Sequence, residues 1–154
     1  FLAKHCDVFY IGGTKVGAMF GEAVVFSGMK APKYFFTNVK RHGALLAKGR
    51  MLGIQFDTLF TDGLYFKISK HAIDMAAAIR KIFAKHNIPL AYDSPTNQQF
   101  VILSPALYQA LSKLVAFEIW EKKNEQEIVC RFVTSWATKE EELEELDKAL
   151  EKIS

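Results

Sequence analysis

The chain has 154 residues, 50% of them apolar, which suffices for a core of ordinary size and excludes a disordered segment. Its 20 basic and 17 acidic residues leave a net charge of +3, too little for a general polyanion binder. Cys6 and Cys130 lie far apart without CxxC spacing, and no signal peptide or run of about 18 apolar residues occurs, so a cytoplasmic chain with no membrane partner is expected.

The chain opens at Phe1 and enters what reads as a strand at once, as a piece of a longer polypeptide would. His5, Cys6 and Asp7 cannot converge on one ion there, because neighbouring strand residues point to opposite faces, and no metal site is expected. Val8 to Ile11 read as a buried strand. Gly21 to Phe26 read as a second, and so short a link predicts antiparallel pairing. After Pro32, the stretch from Lys33 to Phe56 reads as mostly helical, although Gly43, Gly49 and Gly53 each cost roughly 1 kcal/mol against alanine in a helix unless close packing compensates.

Phe60, Leu64, Ile68, Met75, Ile79, Ile82 and Phe83 keep helical spacing up to Lys85, and Asn87 and Pro89 stop it. Short apolar runs follow at Phe100–Leu103, Phe117–Glu121 and Ile128–Trp136, with a helix over Ala106–Leu114 and a hairpin joining the last two runs. The final helix takes Thr138 as its N-cap and Glu141 as capping-box partner, with Leu143, Leu146, Leu150 and Ile153 on one face. The layout is α/β: residues 1–57 with two strands and a helical stretch, a connecting helix over 58–87, and a small α+β unit over 88–154.

Three residues stand out chemically. Lys15 follows the Val8–Ile11 run on a Gly12-Gly13-Thr14 turn, a setting in which an amine is partly desolvated, loses its proton and attacks a carbonyl, as a pyridoxal phosphate (PLP) Schiff-base lysine does. A tight turn whose lysine reaches to water explains the same residues. A phosphate-binding loop does not, because Thr14 precedes the lysine and Val16 follows it. Arg131 lies inside the apolar run Ile128–Val133, where it either meets a carboxylate with two parallel hydrogen bonds or points to water from an edge strand. Arg41 falls within Ala23–Phe56, a stretch free of acidic residues, beside His42 and Gly43. A phosphate suits such a group, and so does a solvated helix face. The polar loop Asp93–Gln99 reads as a turn.

Taken together, Asp7–Lys15 with Gly17-Ala18 and Gly21-Glu22-Ala23 closely resembles the lysine segment of the threonine aldolase / β-eliminating lyase family, PLP enzymes of fold type I. Arg41–Ala47 is similar to the family's arginine-led helix, and Thr96-Asn97 and Cys130–Thr134 resemble its two C-terminal landmarks. The resemblance implies the C-terminal portion of such an enzyme, namely the end of the large PLP-binding domain plus the small C-terminal α+β domain. It gives Lys15 the Schiff base with pyridoxal 5'-phosphate, Arg41 the cofactor phosphate and Arg131 the substrate carboxylate. The reaction implied is cleavage of L-threonine or L-allo-threonine to glycine and an aldehyde.

It also implies a partner: the N-terminal half, which supplies the acidic partner of the pyridine nitrogen, the ring-stacking group and the phosphate cradle. These 154 residues alone are then not a competent enzyme, and a homodimer or homotetramer is expected. Other readings of the residues are β-elimination on another amino acid, a non-catalytic assembly fragment, and a nucleic-acid-binding module on the acid-free stretch, the last weakened by the small net charge.

Overall fold

The computed structural model of the chain describes residues 1–153, which divide into two compact units, Phe1–Lys67 and the residues from Ile68 onward.

The first unit begins with a short helix, α1 (Leu2–His5), where the sequence suggested a strand. Strands β1 (Val8–Gly12) and β2 (Glu22–Phe26) then pair antiparallel, with Phe9 opposite Val25 and Gly12 opposite Glu22, as their apolar runs predict. The helical stretch expected over 33–56 is two helices, α2 (Phe35–Arg41) and α3 (Arg50–Phe60). Glycine chemistry divides them. Gly43 adopts φ +70, and the Gly43 and Ala44 amides return to the carbonyls of Lys40 (3.0 Å) and Val39 (2.9 Å), a Schellman ending that only a left-handed residue permits cheaply. Gly49 caps the start of α3, and a side chain at Gly53 would meet nothing within 4 Å, so close packing compensates neither.

Apolar spacing continues from α3 into the next helix, but the backbone does not. Asp62 and Gly63 both take positive φ (50 and 68), forming a 3-10 turn at Thr61–Gly63, and Thr61 Oγ1 donates to the Asp57 carbonyl (2.8 Å) at the end of α3. Helix α4 starts afresh at Leu64 and runs to Lys85, where Asn87 (φ 56) ends the pattern as expected.

The core of this first unit is small. Val16, Ala18, Phe56 and Leu59 are buried, whereas Tyr10, Met19, Val24 and Phe36 remain exposed.

The second unit holds an antiparallel sheet of order β3-β5-β4, formed by β3 (Gln98–Leu103), β5 (Ile128–Val133) and β4 (Glu118–Lys122). Helix α5 (Pro105–Leu111) begins at Ser104, whose hydroxyl accepts the Leu107 amide at 3.2 Å. Alternation puts Gln99, Val101 and Leu103 of β3, with Cys130 and Phe132 of β5, on the buried face. Phe132 meets Phe83 of α4 edge-on (centroids 4.9 Å) and stacks on Phe117 (4.7 Å). The last helix, α6 (Glu140–Ile153), buries Leu143, Leu146 and Leu150, the face its spacing predicts. Its cap lies one residue further on than expected: the Glu142 carboxylate accepts the Lys139 amide (2.9 Å), while the Thr138 hydroxyl accepts the Ser135 amide (2.9 Å).

Candidate active site

Lys15 sits on a single 3-10 turn, Thr14–Val16, between β1 and β2. The Gly13 carbonyl accepts the amides of Val16 (3.0 Å) and Ala18 (2.9 Å), and Gly17 closes the turn at φ +99. The side chains alternate in fate, so that Val16 and Ala18 are buried while Lys15 is exposed. The apolar residues therefore hold the turn, and Lys15, expected from the sequence to be partly desolvated, is exposed.

The turn is tied to the helices at both ends. Tyr65, in the first turn of α4, donates its hydroxyl to the Gly12 carbonyl (2.9 Å), and Gln55 of α3 accepts the Met19 amide (2.7 Å). Burial raises the Tyr65 hydroxyl above its ordinary pKa, so it stays a donor near neutral pH. Nothing in the local sequence announces these ties, because Tyr65 stands 53 positions from Gly12 and Gln55 stands 36 from Met19.

Arg41 ends α2, where a cation also favours the helix C-terminus, and His42 beside it is an exposed cap residue. Among the described residues, neither Lys15 nor Arg41 has a side-chain hydrogen bond or ion pair, so an amine and a guanidinium in this unit remain available to a ligand. A PLP molecule presents an aldehyde to the first kind of group and a phosphate to the second, and these two fit it. The carboxylates of the same unit, Asp7, Glu22, Asp57 and Asp62, are all exposed and offer its ring nitrogen no enclosed partner.

Arg131 occupies the central strand β5, not an edge, and something anionic does meet it. Phe100 and Glu118 stand opposite it on the two flanking strands. Its Nη2 bonds the Glu118 carboxylate, its Nη1 donates to Gln98 Oε1 (3.1 Å), and its guanidinium carbon lies 5.2 Å from the Trp120 ring centre. The Arg131 Nε is buried without a hydrogen-bond partner, an uncommon state for such a group. Only the strand register brings Gln98, Glu118 and Trp120 to Arg131, which is why the sequence alone did not single them out.

The polar loop Asp93–Gln99 is a brace. Arg80 of α4 pairs with Asp93 (2.7 Å), and the Asn97 amide donates to the Thr134 carbonyl (2.7 Å). The buried Thr134 hydroxyl donates to the Ala72 carbonyl (2.7 Å), so both C-terminal landmarks have architectural work.

No protein-family model matches the chain. It is 30% identical over 142 residues to the low specificity L-threonine aldolase of Pseudomonas sp. (strain NCIMB 10558), a match covering 91% of this chain and 40% of that protein. It is 28% identical over 141 residues to the low specificity L-threonine aldolase of Pseudomonas aeruginosa, with the same coverage. The solved structure of Leishmania major threonine aldolase superposes with a TM-score of 0.92 at 36% identity, over 98% of this chain and 44% of that one. The chain thus spans less than half the length of the relatives it matches, and the matched part of the Leishmania structure is the C-terminal one. In sequence and in fold, the chain is similar to the C-terminal portion of threonine aldolases.

Proposed function

We propose that the chain provides the lysine-bearing and carboxylate-binding portion of a PLP-dependent lyase, which cleaves threonine-type β-hydroxy-α-amino acids to glycine and an aldehyde. The reading rests above all on the likeness to threonine aldolases across nearly the whole chain, with Lys15 presented from a turn whose backbone is fixed and whose amine is open.

In this reading, Lys15 would hold the cofactor through its aldehyde and Arg41 would neutralise its phosphate. That cofactor would supply an electron sink for cleavage of the bond between the substrate Cα and Cβ. Arg131 grips the substrate carboxylate, and because its fork is planar and braced by Gln98 and Trp120, it sets which bond at Cα is aligned for cleavage. Glu118, paired with Nη2, would compete with the substrate for that nitrogen. The exposed apolar face of the hairpin, with Val8, Tyr10 and Val24, suits contact with the remainder of a threonine aldolase or with a second subunit, which would also supply the ring pocket.

The test uses the polypeptide as its gene encodes it, supplied with PLP and either L-threonine or L-allo-threonine. Acetaldehyde release is followed, and glycine formation is checked. The proposal expects both products in equal amount, their loss in Lys15→Ala, and a raised KM in Arg131→Lys. 2-Oxobutanoate and ammonia in place of acetaldehyde and glycine would show an eliminating enzyme instead.

A further inference from the structure

We propose that Tyr65 and Gln55 are positioning residues for Lys15: by anchoring the two ends of its turn to two helices, they decide where the amine stands. The proposal rests on the reading of Lys15 as the cofactor-holding amine.

The turn's own bonds, from the Gly13 carbonyl to the amides of Val16 and Ala18, fix its shape and not its place. Its place comes from outside. The Tyr65 hydroxyl takes the Gly12 carbonyl at the end of β1, and the Gln55 side-chain oxygen takes the Met19 amide beyond the turn. Gln55 is itself held, since its Nε2 donates to the Met51 carbonyl one helical turn earlier (3.1 Å). Tyr65 is seated between Phe60 and Phe66, with ring centroids 5.6 and 6.0 Å away.

Packing closes the remaining freedom. A Cβ placed on Gly13 would stand 2.7 Å from Ala18 Cβ and 3.0 Å from the Phe56 ring, and one on Gly21 would stand 2.0 Å from Leu52 Cδ2. At these two glycines the backbone around Lys15 therefore lies directly against the Phe56 and Leu52 side chains of α3. Such an arrangement stiffens the base of a long, flexible lysine while leaving its tip exposed. Reactions of a held amine lose about 100-fold when the geometry slips by around 1 Å, so loss of either anchor has a measurable cost.

Two readouts separate positioning from plain stability in the polypeptide as its gene encodes it. The first is amide hydrogen exchange at Val16, Ala18 and Met19 without cofactor. The second is the share of PLP that borohydride fixes on Lys15 relative to the other lysines, mapped by mass spectrometry. Tyr65→Phe and Gln55→Leu are expected to speed exchange in the turn and to lower the Lys15 share about tenfold, in keeping with partial slippage. Gln55→Glu, which keeps the acceptor oxygen, is expected to restore both, while thermal melts show each variant folded.

Wild-type labelling of Lys15 in both Tyr65→Phe and Gln55→Leu overturns the proposal and leaves the cofactor reading standing. Failure of Gln55→Glu to restore a loss seen in folded Gln55→Leu overturns the anchoring role of Gln55. A wild-type protein that takes no label on Lys15 overturns the reading beneath the proposal, and the proposal with it.

Discussion

Glu118 and Arg131 stand opposite each other on neighbouring strands, and the Glu118 carboxylate pairs with Arg131 Nη2, a nitrogen that the proposed function assigns to the substrate carboxylate. The pair is lopsided, because the Arg131 side chain is 26% exposed and the Glu118 side chain 67%. The acid can swing away into water, whereas the base is braced by Gln98 and Trp120. Glu118 thus competes for the fork without building it. An exposed pair of this kind contributes roughly 0.5–1 kcal/mol, so Glu118→Gln should lower the KM for the amino acid about two- to fivefold with little change in kcat or stability. A raised KM would show that Glu118 positions the arginine instead.

Acid sensitivity should have a local source in the second unit. Asp147 accepts hydrogen bonds from Lys85 (2.7 Å) and from His86 (2.7 Å) and, through Lys85 first and His86 second, its carboxyl is held below its ordinary value. A group whose folded pKa is depressed contributes stability above the unfolded value, near 3.8, and loses it as pH falls through the folded one. Thermal melts of wild type and Asp147→Asn should therefore differ at neutral pH and converge as the pH is lowered from about 5 towards 2. A gap that stays constant across that range contradicts the assignment. At the alkaline end Lys85 carries the mirror effect: its pKa is raised by Asp147 and Glu151, and the stability this gives below the ordinary value, 10.5, is lost as pH rises through the elevated one.

Phe83 has no exposed surface and lies edge-on to Phe132 in the second unit. Phe83→Ala leaves a cavity there and should cost about 3–5 kcal/mol in denaturant unfolding. A loss under about 1.5 kcal/mol would mean that the surrounding core collapses into the space.

The two thiols should behave differently. Cys130 is fully buried on β5, and burial pushes its thiol up to about 11, whereas Cys6 is partly exposed. An aromatic disulfide reagent near pH 8 should titrate Cys6 in the folded chain and reach Cys130 only after unfolding. Rapid modification of both thiols would contradict the packing of β5.

What the sequence disclosed was mostly local. The β1–β2 pair, the β4–β5 hairpin and the apolar face of α6 each follow from residue alternation or helical spacing within a short window, and so does the lysine on its small-residue turn. The break at Asp62–Gly63 escaped notice because apolar spacing runs straight across it and only the positive φ of two residues reveals it. The setting of Arg131 escaped because it is created by register: two strands bring Gln98 and Glu118 from 33 and 13 positions away. The ties on the Lys15 turn are side-chain to backbone bonds between distant elements, to which no periodicity points.

The account is most directly tested by incubating the polypeptide as its gene encodes it with PLP, reducing it with borohydride and mapping the modified lysine by mass spectrometry. It predicts that the label concentrates on Lys15 and vanishes in Lys15→Ala without spreading to Lys4, Lys30 or Lys33. Label scattered over the polypeptide's lysines in proportion to their exposure, unchanged by Lys15→Ala, would contradict it.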